Sequence, residues 1–177
     1  IKNKTEITYI KQTFMRKIIA KKMEESWKIP AFTLVKNIGI DTLLTYRKEL
    51  SLKVSITAIL AYVIAKALIK RPEMNGIYED GVVGLGKNVN LGIAMDTPDG
   101  LIVPNIFHAE SMQILEIHKT LIELKGQQKM KKLTPDLFMN GTFTLTNLGM
   151  MGVNSFRALI NPPQIGILSI GNIQKQF

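Results

Sequence analysis

The spacing of apolar side chains divides the chain into helical and extended segments. After Thr13, apolar side chains recur at roughly helical spacing, at Phe14, Ile18, Met23 and Trp27. Thr13 can cap this helix, and Pro30 ends it. Residues 1–12 show no clear period. We interpret them as an extended lead-in to a single domain over residues 13–177.

Three further helices are expected over residues 41–50, 56–69 and 111–129, with Asp41, Ser55 and Ser111 as their caps. The second of these is apolar on most faces, which predicts a buried helix. The third is amphipathic, with its apolar side chains on one face. A short helical turn should begin at Thr134, because Pro135 suits a first helical position.

Extended segments alternate irregularly with these helices. They are Ala31–Ile40, Ile77–Asp80, Val82–Leu85, Val89–Pro104, Gly141–Asn147 and Gln164–Ile173. Within Val89–Pro104, the turn residues Pro98 and Gly100 interrupt an apolar run, which predicts a buried β-hairpin. The mixture of elements predicts an α+β fold with a mixed β-sheet faced by helices.

Composition narrows the possible functions. The chain has no cysteine, which excludes disulfides, thiolate metal sites and a cysteine nucleophile. No apolar run approaches the length of a membrane span, so no membrane partner is expected. The net charge of +9 fits either attraction of an anionic ligand or a solvated lysine surface. Aromatic residues are not interleaved with the basic clusters, which argues against a single-strand nucleic-acid platform.

Several candidate motifs lack the context that their chemistry needs. The sequence lacks the G-x-S-x-G motif that would supply a serine nucleophile for a histidine base. The two histidines, His108 and His118, also lack the spacing of zinc ligands, so we interpret both as solvated surface residues. Alternation along the strand places Thr142, Thr144 and Thr146 on one face. Three such hydroxyls fit an ordinary sheet surface, and a catalytic threonine is the alternative.

Six stretches in order carry a family resemblance: Arg16–Ser26 with Ile29–Thr33, Lys53–Ser55, Arg71–Asn75, Val89–Pro104, Gly141–Gly149 and Asn161–Gln164. Together they cover nearly the whole chain. This series resembles the catalytic domain of dihydrolipoamide acyltransferases, the E2 core of the 2-oxo acid dehydrogenase complexes.

The resemblance implies the chloramphenicol-acetyltransferase-like fold, in which trimers hold active sites between subunits. It further implies assembly into a cubic or dodecahedral core that works with the E1 and E3 components. The implied reaction moves an acyl group, acetyl or related, between coenzyme A and a dihydrolipoyl-lysine carried on a separate lipoyl domain. No nucleic-acid partner is implied, and the family is found in the bacterial or archaeal cytoplasm or the mitochondrial matrix.

The resemblance also implies roles for particular residues. The family's F-T-[LI]-[ST]-N motif corresponds to Phe143–Asn147, which makes the Thr146 hydroxyl the donor that stabilises the oxyanion. Residues implied near the substrates are Arg47, Ser55, Asn147 and Leu168.

The family's general base is a histidine in a D-H-R-x-x-D-G motif, and this motif does not occur in the sequence. Neither His108 nor His118 lies in a matching context. We therefore expect the base on a further segment of a longer enzyme, and almost no acyl transfer by these 177 residues alone. The alternatives are a catalytically inactive E2-like subunit of a structural core and a basic binding module.

Overall fold

Four α-helices are present in the computed structural model, which describes residues 7–50 and 52–175. They are α1 (Phe14–Trp27), α2 (Asp41–Glu49), α3 (Ile56–Lys70) and α4 (Ile114–Lys129). Two of the expected caps are confirmed. The Thr13 hydroxyl accepts a hydrogen bond from the Arg16 amide at 3.3 Å, and Ser55 accepts one from the Ala58 amide at 3.2 Å.

The other two expected caps are wrong. Asp41 is the first residue of α2 rather than its cap, a position where its negative charge still favours the helix N-terminus. Helix α4 begins three residues after Ser111, and Gln113 occupies its cap position. The Glu116 carboxylate accepts a hydrogen bond from the Gln113 amide at 2.6 Å, so the local pair Gln113–Glu116 fixes the start of α4.

The strands form one mixed sheet and two hairpins. The strands are β1 (Gly76–Glu79), β2 (Val82–Leu85), β3 (Leu91–Ile93), β4 (Met95–Thr97), β5 (Gly100–Ile102), β6 (Asn105–Ile106), β7 (Phe143–Asn147) and β8 (Ile167–Ile170). In the four-stranded sheet the order is β6-β3-β7-β8, with β6 antiparallel to β3 and the other neighbours parallel. This architecture confirms the expected α+β class with a mixed sheet.

The expected hairpin over Val89–Pro104 is confirmed only in its centre. Strands β4 and β5 pair with each other, whereas β3 leaves that hairpin and pairs with β7 and β6. Strands β7 and β8 are also shorter than the predicted segments, since β7 begins at Phe143 and β8 covers Ile167–Ile170.

The strand predicted over residues 31–40 is wrong. Phe32 and Leu34 are each 86% exposed, and no part of the described structure pairs with this segment as a β-ladder. Apolar β-branched composition alone does not make a strand, because the backbone must also find a partner for its N–H and C=O groups.

The core lies where α3 and α4 pack on each other and on the central sheet. Its largest fully buried apolar side chains are Leu91, Ile106, Ile117, Leu145, Val54 and Val89. Helix α3 is less enclosed than expected, since Val63 is 52% exposed and Ile69 is 44% exposed. Among the described residues, no helix has the length and apolarity to cross a membrane. This packing brings the N-terminus of α3 to the C-terminal end of β7.

Candidate functional site

The three threonines around β7 lie in different hydrogen-bonding environments. Thr142 accepts a hydrogen bond from the Asn90 amide at 3.1 Å, and Thr144 donates one to the Gln164 side-chain oxygen. Thr146 is 8% exposed as a residue, and none of the side-chain hydrogen bonds within residues 7–50 and 52–175 involves its hydroxyl, unlike those of Thr142 and Thr144. The hydroxyls of Thr142 and Thr144 therefore stabilise the sheet and its neighbours, whereas the hydroxyl of Thr146 is free to bind a ligand.

Asn147 joins the end of β7 to two other parts of the fold. Its side-chain nitrogen donates to the Thr57 hydroxyl at 3.2 Å, and its side-chain oxygen accepts from the Gly149 amide at 2.9 Å. Thr57 lies in the first turn of α3, and Gly149 begins the short 3₁₀ turn Gly149–Met151. The carboxamide thus fixes the position of the backbone that follows Thr146.

The loop after β7 passes very close to the backbone of Gly171, and the close approach is at Gly149. A Cβ atom on Gly149 would lie 2.6 Å from the carbonyl oxygen of Gly171, which is too short for a side chain. Gly152 closes the 3₁₀ turn with a φ of 74°, a conformation that favours glycine. The glycines of this loop therefore have a structural role, which is to allow this turn and this close approach.

Arg47 and Ser55 lie at the start of α3. The Arg47 Nε group donates to the carbonyl oxygen of the fully buried Val54 at 2.7 Å, which ties the last turn of α2 to the residue before the cap. Ser55 is half-buried and caps α3. The N-terminus of a helix carries a partial positive charge, so the helix end and the guanidinium together favour negative charge here.

The structure corrects the interpretation of one histidine. His108 is exposed, as expected, and its ring lies 3.9 Å from the carboxylate of Glu110. His118 is half-buried instead, and its Nδ1 atom accepts a hydrogen bond from the Ser55 amide at 3.5 Å. The predicted solvated position of His118 is wrong because α4 packs against α3, a contact between residues 63 positions apart.

Leu168 lies on the neighbouring strand β8. It is 40% exposed and pairs in register with Leu145, while the next residue, Ser169, pairs with Thr146. The structure thus places Leu168 one position away from the strand partner of Thr146. It brings Asn147 and Thr146 to the same end of α3 as Arg47 and Ser55.

Sequence reasoning missed two residues of this site, Thr57 and His118. Thr57 is a helical threonine whose partner is 90 residues away, and no local pattern marks such a contact. The described residues contain no cluster of three or more His, Asp or Glu side chains that could hold a metal ion. The candidate site thus combines the end of β7 with the N-terminus of α3, and Arg47 contacts the residue before the α3 cap.

The chain matches the model of the 2-oxoacid dehydrogenases acyltransferase catalytic domain over residues 4–177. Among curated relatives, it is 33% identical over 184 residues to the dihydrolipoyllysine-residue acetyltransferase component of the pyruvate dehydrogenase complex of Rickettsia felis. That alignment covers 99% of this chain and 45% of the relative. The chain therefore spans less than half the length of this relative.

Solved structures agree with this match. A truncated catalytic core of the 2-oxoacid dehydrogenase multienzyme complex from Thermoplasma acidophilum superposes with a TM-score of 0.90 at 31% identity, covering 96% of this chain and 82% of that chain. The cubic core of a pyruvate dehydrogenase multienzyme complex also superposes with a TM-score of 0.90, at 28% identity, covering 97% of this chain and 74% of that chain. The chain belongs to the family of 2-oxoacid dehydrogenase acyltransferases, whose catalytic domain it matches.

Proposed function

We propose that this chain is the acyl-transfer domain of an enzyme that moves an acetyl or related acyl group between coenzyme A and dihydrolipoyl-lysine. The observation that carries the proposal is the Thr146 hydroxyl. It lies at the end of β7 in the sequence Phe143–Asn147 and has no intramolecular hydrogen-bond partner in the described part of the chain. Family membership and the name of the Rickettsia relative support the same reaction.

The proposed reaction is direct attack of a thiol sulfur on a thioester carbonyl carbon. As the new carbon–sulfur bond forms, negative charge develops on the carbonyl oxygen, and a base takes the thiol proton. The Thr146 hydroxyl donates a hydrogen bond to that oxygen, which stabilises the tetrahedral species. When the carbonyl re-forms, the old carbon–sulfur bond breaks and the leaving thiolate takes up a proton. We assign no base to His108 or His118.

The proposed binding region for coenzyme A is the start of α3. Coenzyme A carries phosphate groups, and the helix N-terminus capped by Ser55 favours anions. Among the described residues, the Arg47 guanidinium bonds through Nε alone, and we propose that its other nitrogens bind the ligand. The other two proposed substrate-binding residues are Asn147, which follows Thr146 on β7, and Leu168, which precedes the strand partner of Thr146 on β8.

We also propose that the chain assembles into trimers and then into a larger core, with the acyl group arriving on a separate lipoyl domain. The similarity to a cubic core supports this assembly. Large apolar side chains on and after α1 are strongly exposed in a single copy, including Trp27 at 76% and Phe32 at 86%. Extended apolar surface of this kind is typical of protein–protein interfaces.

The test is to supply the full gene product with acetyl-coenzyme A and free dihydrolipoamide and to identify the products by mass spectrometry. The proposal predicts S-acetyldihydrolipoamide and free coenzyme A in equal amounts. Light scattering on the same sample should give a particle with a multiple of three subunits. A core-sized particle without turnover would instead support the structural-subunit alternative, and salt-sensitive binding to nucleic acid without turnover would support the basic binding module.

A further inference from the structure

We infer that Thr57 is a positioning residue that acts on Thr146 through the side chain of Asn147. The inference rests on the proposed function, because it concerns how the hydroxyl of Thr146 is held for acyl transfer. Its geometric part, the contact between α3 and the loop after β7, can be tested separately.

The geometry is a clamp of two hydrogen bonds on one carboxamide. Asn147 donates from its side-chain nitrogen to Thr57 Oγ1 at 3.2 Å and accepts at its side-chain oxygen from the Gly149 amide at 2.9 Å. The bond to Gly149 is local, across two residues, and sets only the turn. The bond to Thr57 spans 90 residues and therefore fixes where that turn lies relative to α3.

Thr57 itself is held firmly in the first turn of α3. Thr57 lies two residues after Ser55, whose hydroxyl caps α3, and the neighbouring Ala58 is fully buried. Thr146 directly precedes Asn147, and its hydroxyl has no other bond within the described residues to hold it. A displacement of Asn147 is therefore passed directly to the Thr146 backbone.

This arrangement assigns Asn147 to positioning. The carboxamide directs one N–H at Thr57 and its oxygen at Gly149, so its main contacts are inside the protein. A donor that stabilises an oxyanion must be held within a few tenths of an ångström to be effective. Loss of the clamp should therefore lower kcat rather than weaken the binding of either substrate.

The test compares Thr57→Val, which keeps the shape and removes the hydroxyl, with Thr57→Ser, which keeps the hydroxyl. Both are made in the full gene product. We expect Thr57→Val to lower kcat about fivefold, with KM for coenzyme A and for dihydrolipoamide within about twofold of the original values. Thr57→Ser should restore most of the rate. The control is Thr120→Val, because the one bond of the Thr120 hydroxyl within the described residues lies inside α4, to the Glu116 carbonyl at 3.0 Å.

Hydrogen exchange of the Gly149 amide gives a readout that does not need turnover. We expect faster exchange in Thr57→Val and near-original exchange in Thr57→Ser. Unchanged exchange and unchanged kcat in Thr57→Val would overturn the inference. So would a rise in KM alone, or a serine variant as slow as the valine variant. If the unmodified protein shows no acyl transfer, the proposed function fails while the exchange data still decide whether the clamp exists.

Discussion

At the scale of single residues, the two threonines of β7 differ: Thr144 stabilises the fold, and Thr146 is the residue to which we assign a chemical role. Thr144 is 1% exposed and donates to Gln164, which is 4% exposed. Polar groups this deeply buried need a hydrogen-bond partner in the protein, because water cannot reach them to supply one. Thr146, two residues later on the same face, lacks such a partner in the described structure. Of these two threonines, Thr146 is therefore the one whose hydroxyl can bind a substrate without breaking a hydrogen bond seen in the described structure.

Replacing Thr144 with valine should destabilise the fold. The side-chain oxygen of Gln164 would lose its donor while remaining buried, which costs about 1–3 kcal/mol of the free energy of unfolding. Chemical denaturation of the variant measures this loss. The matched control is Thr120→Val on α4, which should stay within about 0.5 kcal/mol of the original protein. Equal stability of the two variants would show that the Thr144–Gln164 bond does not matter.

At the scale of elements, α3 is the part of the fold that organises the site. Its cap residue Ser55 contacts His118 of α4, its first turn contacts Asn147 of β7, and the residue before the cap contacts Arg47 of α2. The N-terminal end of α3 thus receives side chains from two other helices and from the central sheet. The direction and start of α3 consequently determine how the candidate site residues meet.

Removing the cap of α3 tests this role. Ser55→Ala should lower the free energy of unfolding by about 1 kcal/mol, whereas Ser55→Gly should cost only a few tenths. Ser111→Ala is the control, because the sequence predicted Ser111 as a cap and the structure places the start of α4 at Ile114. Thermal or chemical unfolding of the three variants measures these changes in the free energy of unfolding. A loss in Ser111→Ala as large as that in Ser55→Ala would contradict the assigned helix starts.

The elements that the sequence predicted correctly are those set by local rules. Thr13 and Ser55 cap their helices through a residue three positions away, so spacing alone reveals them. The neighbouring strands predicted over Ile77–Asp80 and Val82–Leu85 are likewise joined locally, since the turn residues Asp80 and Gly81 both have positive φ. Residues 31–40 were misassigned because strand formation depends on a partner that no local pattern specifies.

The difference between local patterns and long-range contacts also decides which residues of the candidate site can be found from the sequence. Resemblance placed Thr146, Asn147, Arg47, Ser55 and Leu168 as candidates. The structure brings the first four to the start of α3 and the end of β7, and it places Leu168 on β8 beside Leu145. Their roles in binding and catalysis stay predictions. Thr57 and His118 could not be found from the sequence, because their partners are 90 and 63 residues away. Contacts of that kind follow from the packing of α3 on β7 and α4.

At the scale of the whole molecule, the net charge of +9 should attract the proposed substrate coenzyme A to the protein. A positive surface attracts the phosphates of coenzyme A before any specific contact forms. Dihydrolipoamide carries no charge, so the same field does not act on it. The two substrates should therefore respond differently to salt.

Raising the salt concentration from about 0.02 M to about 0.2 M should increase KM for coenzyme A severalfold, because mobile ions screen the attraction. KM for free dihydrolipoamide should stay constant over the same range and serves as the internal control. Steady-state kinetics at four or five salt concentrations measures both. A constant KM for coenzyme A would show that the positive charge has no part in its binding.

The central claim is that the Thr146 hydroxyl stabilises the transition state of acyl transfer. The most direct measurement is the kcat of Thr146→Ala in the full gene product, with Thr146→Ser as the variant that keeps the donor. We expect kcat to fall about 10²-fold or more in the alanine variant, with little change in KM, and to be largely retained in the serine variant. An alanine variant with unchanged kcat would contradict the claim and remove Thr146 from the mechanism.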